Sequence, residues 1–241
     1  MPLASVPKPL SMLCLVPDQN TAGKSDATGA FLPEARAFAR CHGQDPDTII
    51  TRFPARELFL RRRAVCVRAI ETAAPLDVLA FFCHGWRDGL QAGWQRNTIL
   101  HLARTLAQHA ARDAHVVLYA CDTGRDVDEA REDDREPGPG GDGGFADELR
   151  DACEALGRPV TVAAHATPGH CVWNPYARRF VPGCGGRGGQ WFVEPASPLW
   201  LAWVRALREP RGTLRYRFWG MTPAEIAAEL GSGEGDGPLV A

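Results

Sequence analysis

Two short segments of this sequence each place a reactive side chain at the end of an apolar run. His84 follows Phe81-Phe82-Cys83, and Cys121 follows Leu118-Tyr119-Ala120. A free thiol with a pKa of about 8.5 is only a few per cent thiolate near pH 7. An imidazole beside it can accept the thiol proton and later protonate a leaving amine. A histidine and a cysteine brought together would therefore form a nucleophilic site.

The neighbours of these two residues could complete such a site. Gly85 has no side chain, so a substrate can approach its backbone closely. The backbone N–H groups of Gly85 and Cys121 could together hold an oxyanion. Trp86 and Asp122 come next along the chain and are candidates for the lining of a substrate cleft.

The two segments are predicted to be strands that lie side by side. Leu76–Cys83 and His115–Ala120 are nearly continuous apolar runs, which is typical of strands buried on both faces. One helix, over about 97–112 and capped by Asn97, connects them. A right-handed crossover through one helix makes the two strands parallel and favours their being neighbours.

This arrangement predicts where the chemistry lies. In open α/β sheets, ligands bind outside the carboxyl ends of the strands. We therefore expect His84 and Cys121 to converge at one end of the sheet, with the thiol and the imidazole near hydrogen-bond distance. Since side chains alternate along a strand, Cys83 is expected to be buried instead.

The rest of the 241-residue chain alternates strand and helix patterns, which predicts an α/β fold with a mostly parallel central sheet covered on both faces. Further strands are predicted at Met12–Val16, Thr48–Phe53 and Val160–Ala164, and further helices at Pro33–Arg40, Arg56–Thr72 and 145–156. We divide the chain into an α/β core, 1–180, and a tryptophan-rich appendage packed on it, 181–241. Within the appendage, Leu214–Trp219 is predicted to be a strand, and Thr222–Glu225 a capping box before a last helix.

Composition excludes several classes of function. The formal net charge is −2, so whole-chain electrostatics offers no attraction to nucleic acid or to an anionic membrane. No apolar run reaches the roughly 20 residues that span a bilayer, and a signal peptide is not expected. The eight cysteines form no C-x-x-C pair, which favours small buried side chains in a reducing compartment. We expect a cytoplasmic protein that binds a protein or peptide; the sequence leaves its oligomeric state open.

Two other motifs compete with the histidine–cysteine site. His165, His170, Cys171 and Cys184 could build a zinc site, but their spacing matches no closed-site pattern, so no metal is expected. We interpret His165 and His170 as candidates for the lining of the substrate cleft. The segment 18–25 nearly fits a phosphate-binding loop, but an aspartate replaces its first glycine, so no nucleotide cofactor is expected either.

The strings FFCHGW and VVLYACDTG resemble the His-Gly and Ala-Cys blocks of the caspase-like (clan CD) cysteine peptidases, and are most similar to the bacterial CHAT branch. The later string GGFADELRDACEALGRPVTVAA is similar to the helix and strand that follow the nucleophile in that group. The resemblance covers roughly residues 10–165. It implies a caspase-like three-layer sandwich and an endopeptidase with His84 as general acid/base, Cys121 as nucleophile and the amides of Gly85 and Cys121 as oxyanion donors.

The chain departs from the caspase pattern in two places. His84 and Cys121 are 37 residues apart, whereas the spacing in caspases is about 50. The caspase string around the nucleophile is also absent, which removes any ground for assuming caspase specificity. A catalytically silent caspase-like interaction module is the alternative.

One loop carries a prediction of its own. Residues 122–142 hold nine acidic and three basic side chains, which predicts a mobile loop. Because caspases carry a processed linker at this place, the resemblance implies that the loop is a segment for self-cleavage or activation.

Overall fold

A seven-stranded sheet forms the centre of the molecule. The computed structural model describes residues 10–18, 28–127, 140–169, 173–183, 188–209 and 213–231. The strands are β1 (Met12–Pro17), β2 (Ile50–Phe53), β3 (Leu76–Phe82), β4 (Gly85–Trp86), β5 (Gly89–Leu90), β6 (Ala110–Tyr119), β7 (Thr161–His165), β8 (Ala177–Phe180) and β9 (Gln190–Trp191). The helices are α1 (Thr28–Cys41), α2 (Pro46–Ile49), α3 (Phe59–Ala73), α4 (Ile99–His109), α5 (Phe145–Ala155), α6 (Trp200–Arg208), α7 (Leu214–Arg217) and α8 (Pro223–Gly231).

The sheet is mostly parallel, as the alternating pattern predicts. Its strand order is β2-β1-β3-β6-β7-β8-β9. The first five strands in that order are parallel to one another. At one side, β8 pairs antiparallel with β7, and β9 pairs antiparallel with β8. The remaining two strands, β4 and β5, form a small antiparallel hairpin directly after β3.

Helices cover both faces of the sheet, because the strand side chains alternate between two cores. Leu79 and Phe81 of β3 point into a core with α3, α4 and α5. Ala80 and Phe82 point into the opposite core, which α1, α6, α7 and α8 complete. The fold is therefore α/β, with a central sheet between two layers of helices.

The last strand residue before Cys121 ties the sheet to the C-terminal helices. The ring of Tyr119 stacks on Phe82 with the centroids 4.5 Å apart. Its hydroxyl donates a hydrogen bond to the carbonyl oxygen of Arg215 at 2.8 Å. Trp203 and Trp219 are buried in the same core, so the tryptophans of this part of the chain mainly fill the interior.

The structure corrects two predictions and adds one strand that was not predicted. The segment predicted as a strand at Leu214–Trp219 is helical: α7 is followed by a 3₁₀ turn over Phe218–Gly220. Asn97 does not cap the crossover helix; it lies inside a 3₁₀ turn. The residue before that turn is Gln95, whose backbone N–H donates to Oγ1 of Thr98 at 2.9 Å. The antiparallel strand β8 was not expected at all.

The capping box before the last helix is confirmed. The backbone N–H of Glu225 donates to Oγ1 of Thr222 at 3.2 Å, and the backbone N–H of Thr222 donates to Oε2 of Glu225 at 2.6 Å. In the part of the chain that the structure describes, no helix combines the length and the apolar character needed to cross a bilayer.

Candidate active site

His84 and Cys121 leave the sheet at the same level. Phe82 and Tyr119 are paired at the ends of the neighbouring parallel strands β3 and β6. His84 is the second residue after Phe82, and Cys121 is the second residue after Tyr119. The prediction that the two residues follow adjacent parallel strands at one end of the sheet is confirmed. Both are partly exposed to solvent.

Gly85 brings the two segments into direct contact. A Cβ atom on Gly85 would lie 2.7 Å from the Cβ of Ala120, 2.7 Å from the carbonyl oxygen of Cys121 and 2.8 Å from Cγ2 of Thr123. These distances are much shorter than van der Waals contact. The Cβ of Ala120 and the carbonyl oxygen of Cys121 cannot move aside by a side-chain rotation. Only glycine fits here, so the backbone that follows His84 packs directly on the backbone of Cys121.

Two hydrogen bonds hold the main chain of His84 to Gln91, a residue that the sequence analysis did not identify. The backbone N–H of His84 donates to Oε1 of Gln91 at 3.2 Å. The backbone N–H of Gln91 donates in return to the carbonyl oxygen of His84 at 2.9 Å. On the other side, the ring of Phe31 from α1 meets the imidazole edge-on, with the centroids 5.2 Å apart.

A turn signal in the sequence leads to Gln91. The hairpin of β4 and β5 pairs Trp86 with Gly89, which leaves Arg87 and Asp88 as a two-residue loop. Asp88-Gly89 is a dipeptide that favours turns; here Asp88 ends the loop and Gly89 begins β5. The hairpin folds the chain back on itself, and this return brings the buried side chain of Gln91 to the backbone of His84.

The thiol of Cys121 is engaged by a different loop. Its Sγ donates a hydrogen bond to the carbonyl oxygen of Gly169 at 3.1 Å. Gly169 has a φ of 143°, a backbone conformation that residues other than glycine rarely adopt. In this state the thiol is a hydrogen-bond donor, and it must lose that proton before it can act as a nucleophile.

Asp122 follows Cys121 with the backbone in the left-handed region, at a φ of 56°. Burial raises the pKa of its carboxyl group, and the nearby Arg125 partly offsets that rise. One carboxylate oxygen, Oδ1, is buried and has no hydrogen-bond partner among the described residues. Because the backbone of Asp122 is left-handed, the chain turns away from the direction of β6 directly after Cys121.

Four other cysteines lie in the interior, as the sequence predicts. Cys14, Cys66, Cys83 and Cys153 are all buried. Burial raises the pKa of the Cys83 thiol to about 12 and that of Cys153 to about 12. Such thiols are almost entirely protonated at neutral pH and are poor nucleophiles.

Two cavities are lined by residues close to the candidate site, although neither is lined by His84 or Cys121 themselves. One, of about 440 Å³, is lined by Gly169 together with Pro168, Trp173, Tyr176 and Arg208, among others. The other, of about 610 Å³, lies on the hairpin that follows His84 and is lined by Trp86, Asp88, Gln95, Arg96, Asn97 and Glu148. The first cavity is connected to the thiol through Gly169, which accepts the hydrogen bond from Cys121. The second is connected to His84 only through the hairpin that follows it.

The wall of the first cavity is ordered by one amide side chain. The Nδ2 group of Asn174 donates to the carbonyl oxygen of Thr167 at 2.7 Å, and its Oδ1 accepts from the hydroxyl of Thr167 at 3.1 Å. The same Oδ1 accepts from the backbone N–H of Tyr176 at 3.0 Å. These bonds fix both ends of the loop that carries Gly169.

The remaining predicted site residues are distributed as follows. Trp86 lines the larger cavity and Asp122 lies beside the thiol. His165 ends β7 but its side chain is only 2% exposed, with its ring near that of Tyr119, so it does not line an open cleft. Its carbonyl oxygen instead accepts from the N–H of Gly124 at 2.9 Å. His170 lies outside the described residues.

The competing motifs also fall partly outside the described ranges. Cys171 and Cys184 of the zinc alternative, residues 19–25 of the phosphate-loop alternative, and 128–139 of the predicted self-cleavage loop are not among the described residues. Within the described part of the chain, no group of three or more His, Cys, Asp or Glu side chains is arranged to hold a metal ion.

Comparison with known proteins adds no family assignment. No protein-family model matches this chain, and no curated protein matches it.

Proposed function

We propose that this protein is a cysteine endopeptidase with a caspase-like three-layer fold, in which Cys121 and His84 hydrolyse peptide bonds. The observation that carries the proposal is the equal offset of the two residues from the paired strand ends at Phe82 and Tyr119, with no room for a side chain between them at Gly85. The resemblance of the two sequence blocks to the clan CD peptidases supports the same assignment.

The chemistry follows from the positions of the two groups. His84 accepts the thiol proton of Cys121, and the sulfur attacks the peptide carbonyl carbon to form a C–S bond. The N–H groups of Gly85 and Cys121 stabilise the oxyanion. The C–N bond then breaks, and His84 gives its proton to the leaving amine. Water, deprotonated by His84, hydrolyses the thioester and restores the thiol.

The surroundings of the pair suit a polypeptide substrate. Gly169, which lines one cavity, accepts the hydrogen bond from Cys121, and Trp86, which lines the other, is two residues from His84. Both cavities are therefore candidate subsites for an extended chain. Neither the nucleophile nor the base requires a metal or an organic cofactor. A free catalytic thiol persists in a reducing compartment, which favours the cytoplasm.

A second candidate function is a catalytically silent interaction module. The observation that favours it is the hydrogen bond from Cys121 to Gly169, because a thiol that donates to a carbonyl oxygen is held in its protonated form. Under this alternative, the site binds a peptide segment without cleaving it.

Cleavage of a mixed-sequence peptide library distinguishes the two functions. The wild-type protein should cleave the library and Cys121→Ala should not. Cys41→Ala is the matched control, since Cys41 is another partly exposed thiol, located at the far end of α1. Cleavage that survives in Cys121→Ala, or a complete lack of cleavage together with retained peptide binding, would overturn the peptidase assignment.

A further inference from the structure

The start of α3 presents large apolar side chains to solvent. Leu58 is 78% exposed and Leu60 is 69% exposed, with Phe59 between them at 38%. We call the segment 52–63, which includes these residues, the α3 patch. Consecutive exposed apolar side chains on a surface indicate an interaction site more often than isolated ones do.

The α3 patch is also strongly basic. It contains five arginines and one glutamate, which gives a net charge of +4 in a chain whose overall net charge is −2. Among the described residues, no carboxylate forms a salt bridge with these arginines. The guanidinium of Arg62 is bound by backbone carbonyl oxygens instead, those of Glu57 at 2.7 Å and Gln91 at 2.9 Å. The charge of Asp18 acts on Arg62. The carboxylates of a partner can instead meet the exposed arginines of the patch, Arg52, Arg56 and Arg61.

The α3 patch adjoins the candidate active site. Strand β2 is parallel to β1 and ends at Phe53, so α3, which begins at Phe59, starts at the carboxyl end of the sheet. Arg62 of the patch donates to the carbonyl oxygen of Gln91, and the side chain of Gln91 accepts from the backbone of His84. Gln91 is therefore the residue that links the α3 patch to His84, the proposed base.

We propose that the α3 patch is a docking surface for an acidic segment with apolar side chains in the polypeptide substrate. This inference rests on the proposed peptidase function, since it identifies a feature of the substrate. Leu58 and Leu60 provide apolar contact, and the arginines select carboxylates by charge complementarity. A polypeptide is favoured over an anionic lipid surface because the contact through Gln91 joins the patch to the peptide-hydrolysing pair.

Binding can be measured without catalysis, in full-length Cys121→Ala protein. The probe is a fluorescein-labelled peptide of alternating glutamate and leucine or phenylalanine, and the readout is fluorescence anisotropy. Leu58→Ser with Leu60→Ser, and separately Arg61→Glu, should weaken binding by about tenfold, and added salt should weaken it further. Leu201→Ser is the matched control, because Leu201 is 75% exposed on α6 and should leave the affinity unchanged.

The same variants test the link to the substrate when Cys121 is present. A fluorogenic mixed-sequence peptide library is prepared with and without an added glutamate–leucine segment. The patch variants should lower kcat/KM for the extended library by about tenfold and leave the short library unaffected. Equal cleavage of both libraries by wild-type protein would overturn the docking proposal and leave the peptidase assignment standing. Peptide binding without any cleavage would contradict the peptidase assignment. The α3 patch would then be a binding surface only, and its partner would not be a substrate.

Two further outcomes overturn the choice of partner. A control peptide with lysine in place of glutamate should bind at least about tenfold more weakly, and equal binding would exclude recognition by charge. Sedimentation with phosphatidylserine–phosphatidylcholine vesicles should show no patch-dependent association. Vesicle binding that is lost in Leu58→Ser with Leu60→Ser, without peptide binding, would assign the patch to a membrane surface.

Discussion

Cys83 and Cys121 lie at the same end of the sheet but in opposite environments. Cys83 is the first residue after β3, and it continues the strand alternation into the core with α3, α4 and α5. Cys121 is the second residue after β6, and its thiol is partly exposed and bonded to the loop at Gly169. Burial raises the pKa of the Cys83 thiol to about 12.

This difference shows how finely position controls cysteine chemistry. The first residue beyond a strand still belongs to the pleat and points into a helix layer. The second residue is free of the sheet and faces the open end, where a substrate can reach it. Two thiols on adjacent strands therefore have separate roles, one in packing and one in the proposed chemistry.

Removing each thiol in turn tests whether Cys83 and Cys121 have separate roles. Cys121→Ala should lower kcat/KM for the peptide library by a factor of about 10³ or more, because the nucleophile is lost. Cys83→Ala should retain most of the activity, since its thiol faces the core. Peptide cleavage measured for both variants checks this, and a larger loss in Cys83→Ala would reverse the assigned roles.

A substitution at Gly85 tests whether the two segments must touch. Gly85→Ala places a Cβ against Ala120 and the backbone of Cys121, so the segments must separate. We expect a loss of about 1–3 kcal/mol in the free energy of unfolding. A misplaced base should also lower kcat/KM by about 10²-fold. Urea unfolding and library cleavage report the two effects. Gly220→Ala is the control, since nothing lies within 4 Å of the added atom there.

The buried thiol should make stability depend on alkaline pH. The pKa of Cys83 is raised to about 12 in the folded protein, from a usual value of 9.0. The unfolded chain therefore loses this proton first as the pH rises, and the stabilisation present below pH 9 is lost towards pH 12. Cys83 should contribute a fall of about 1.4 kcal/mol in unfolding free energy per pH unit within this window. Urea titrations at several pH values should give a shallower slope for Cys83→Ala; identical slopes would contradict burial of an ionisable thiol.

The smallest expected effect concerns the contact between Cys121 and Gly169. Gly169→Ala is strained at a φ of 143° and should shift the carbonyl oxygen away from the thiol. Loss of one such hydrogen bond, about 0.5–1.5 kcal/mol, should speed alkylation of Cys121 by iodoacetamide at pH 7 by about two- to tenfold. Mass spectrometry of the modified peptide gives the rate. Gly157→Ala changes another glycine of positive φ, at the end of α5, and should leave that rate unaltered.

Much of the site's framework could be predicted from sequence, because it depends on simple alternation. The continuous apolar runs before His84 and Cys121 identified neighbouring buried strands, and period-2 alternation placed Cys83 inside. The partners of these residues could not be predicted in the same way. Gln91 reaches His84 only because a hairpin reverses the chain, and Gly169 comes from a loop 48 residues beyond Cys121.

The errors in the fold have equally local causes. In Leu214–Trp219, the buried residues Leu214, Tyr216 and Phe218 alternate as in a strand, but the segment forms a short helix followed by a turn. The strand β8 was missed because it contains two consecutive arginines. Arg178 is nevertheless buried, with its guanidinium 3.9 Å from the ring centre of Trp191, so the aromatic ring accommodates the charge.

The hydrogen bond from Tyr119 to Arg215 has a consequence for synthesis on the ribosome. Both His84 and Cys121 are translated long before α6, α7 and α8, which cover one face of the sheet. Until those helices emerge, α1 covers only part of this face, and the apolar surface that α6, α7 and α8 bury stays exposed. Incomplete chains aggregate through surfaces of this kind. Products that terminate before α6 would therefore contain the complete proposed dyad and still expose apolar surface that the full chain buries.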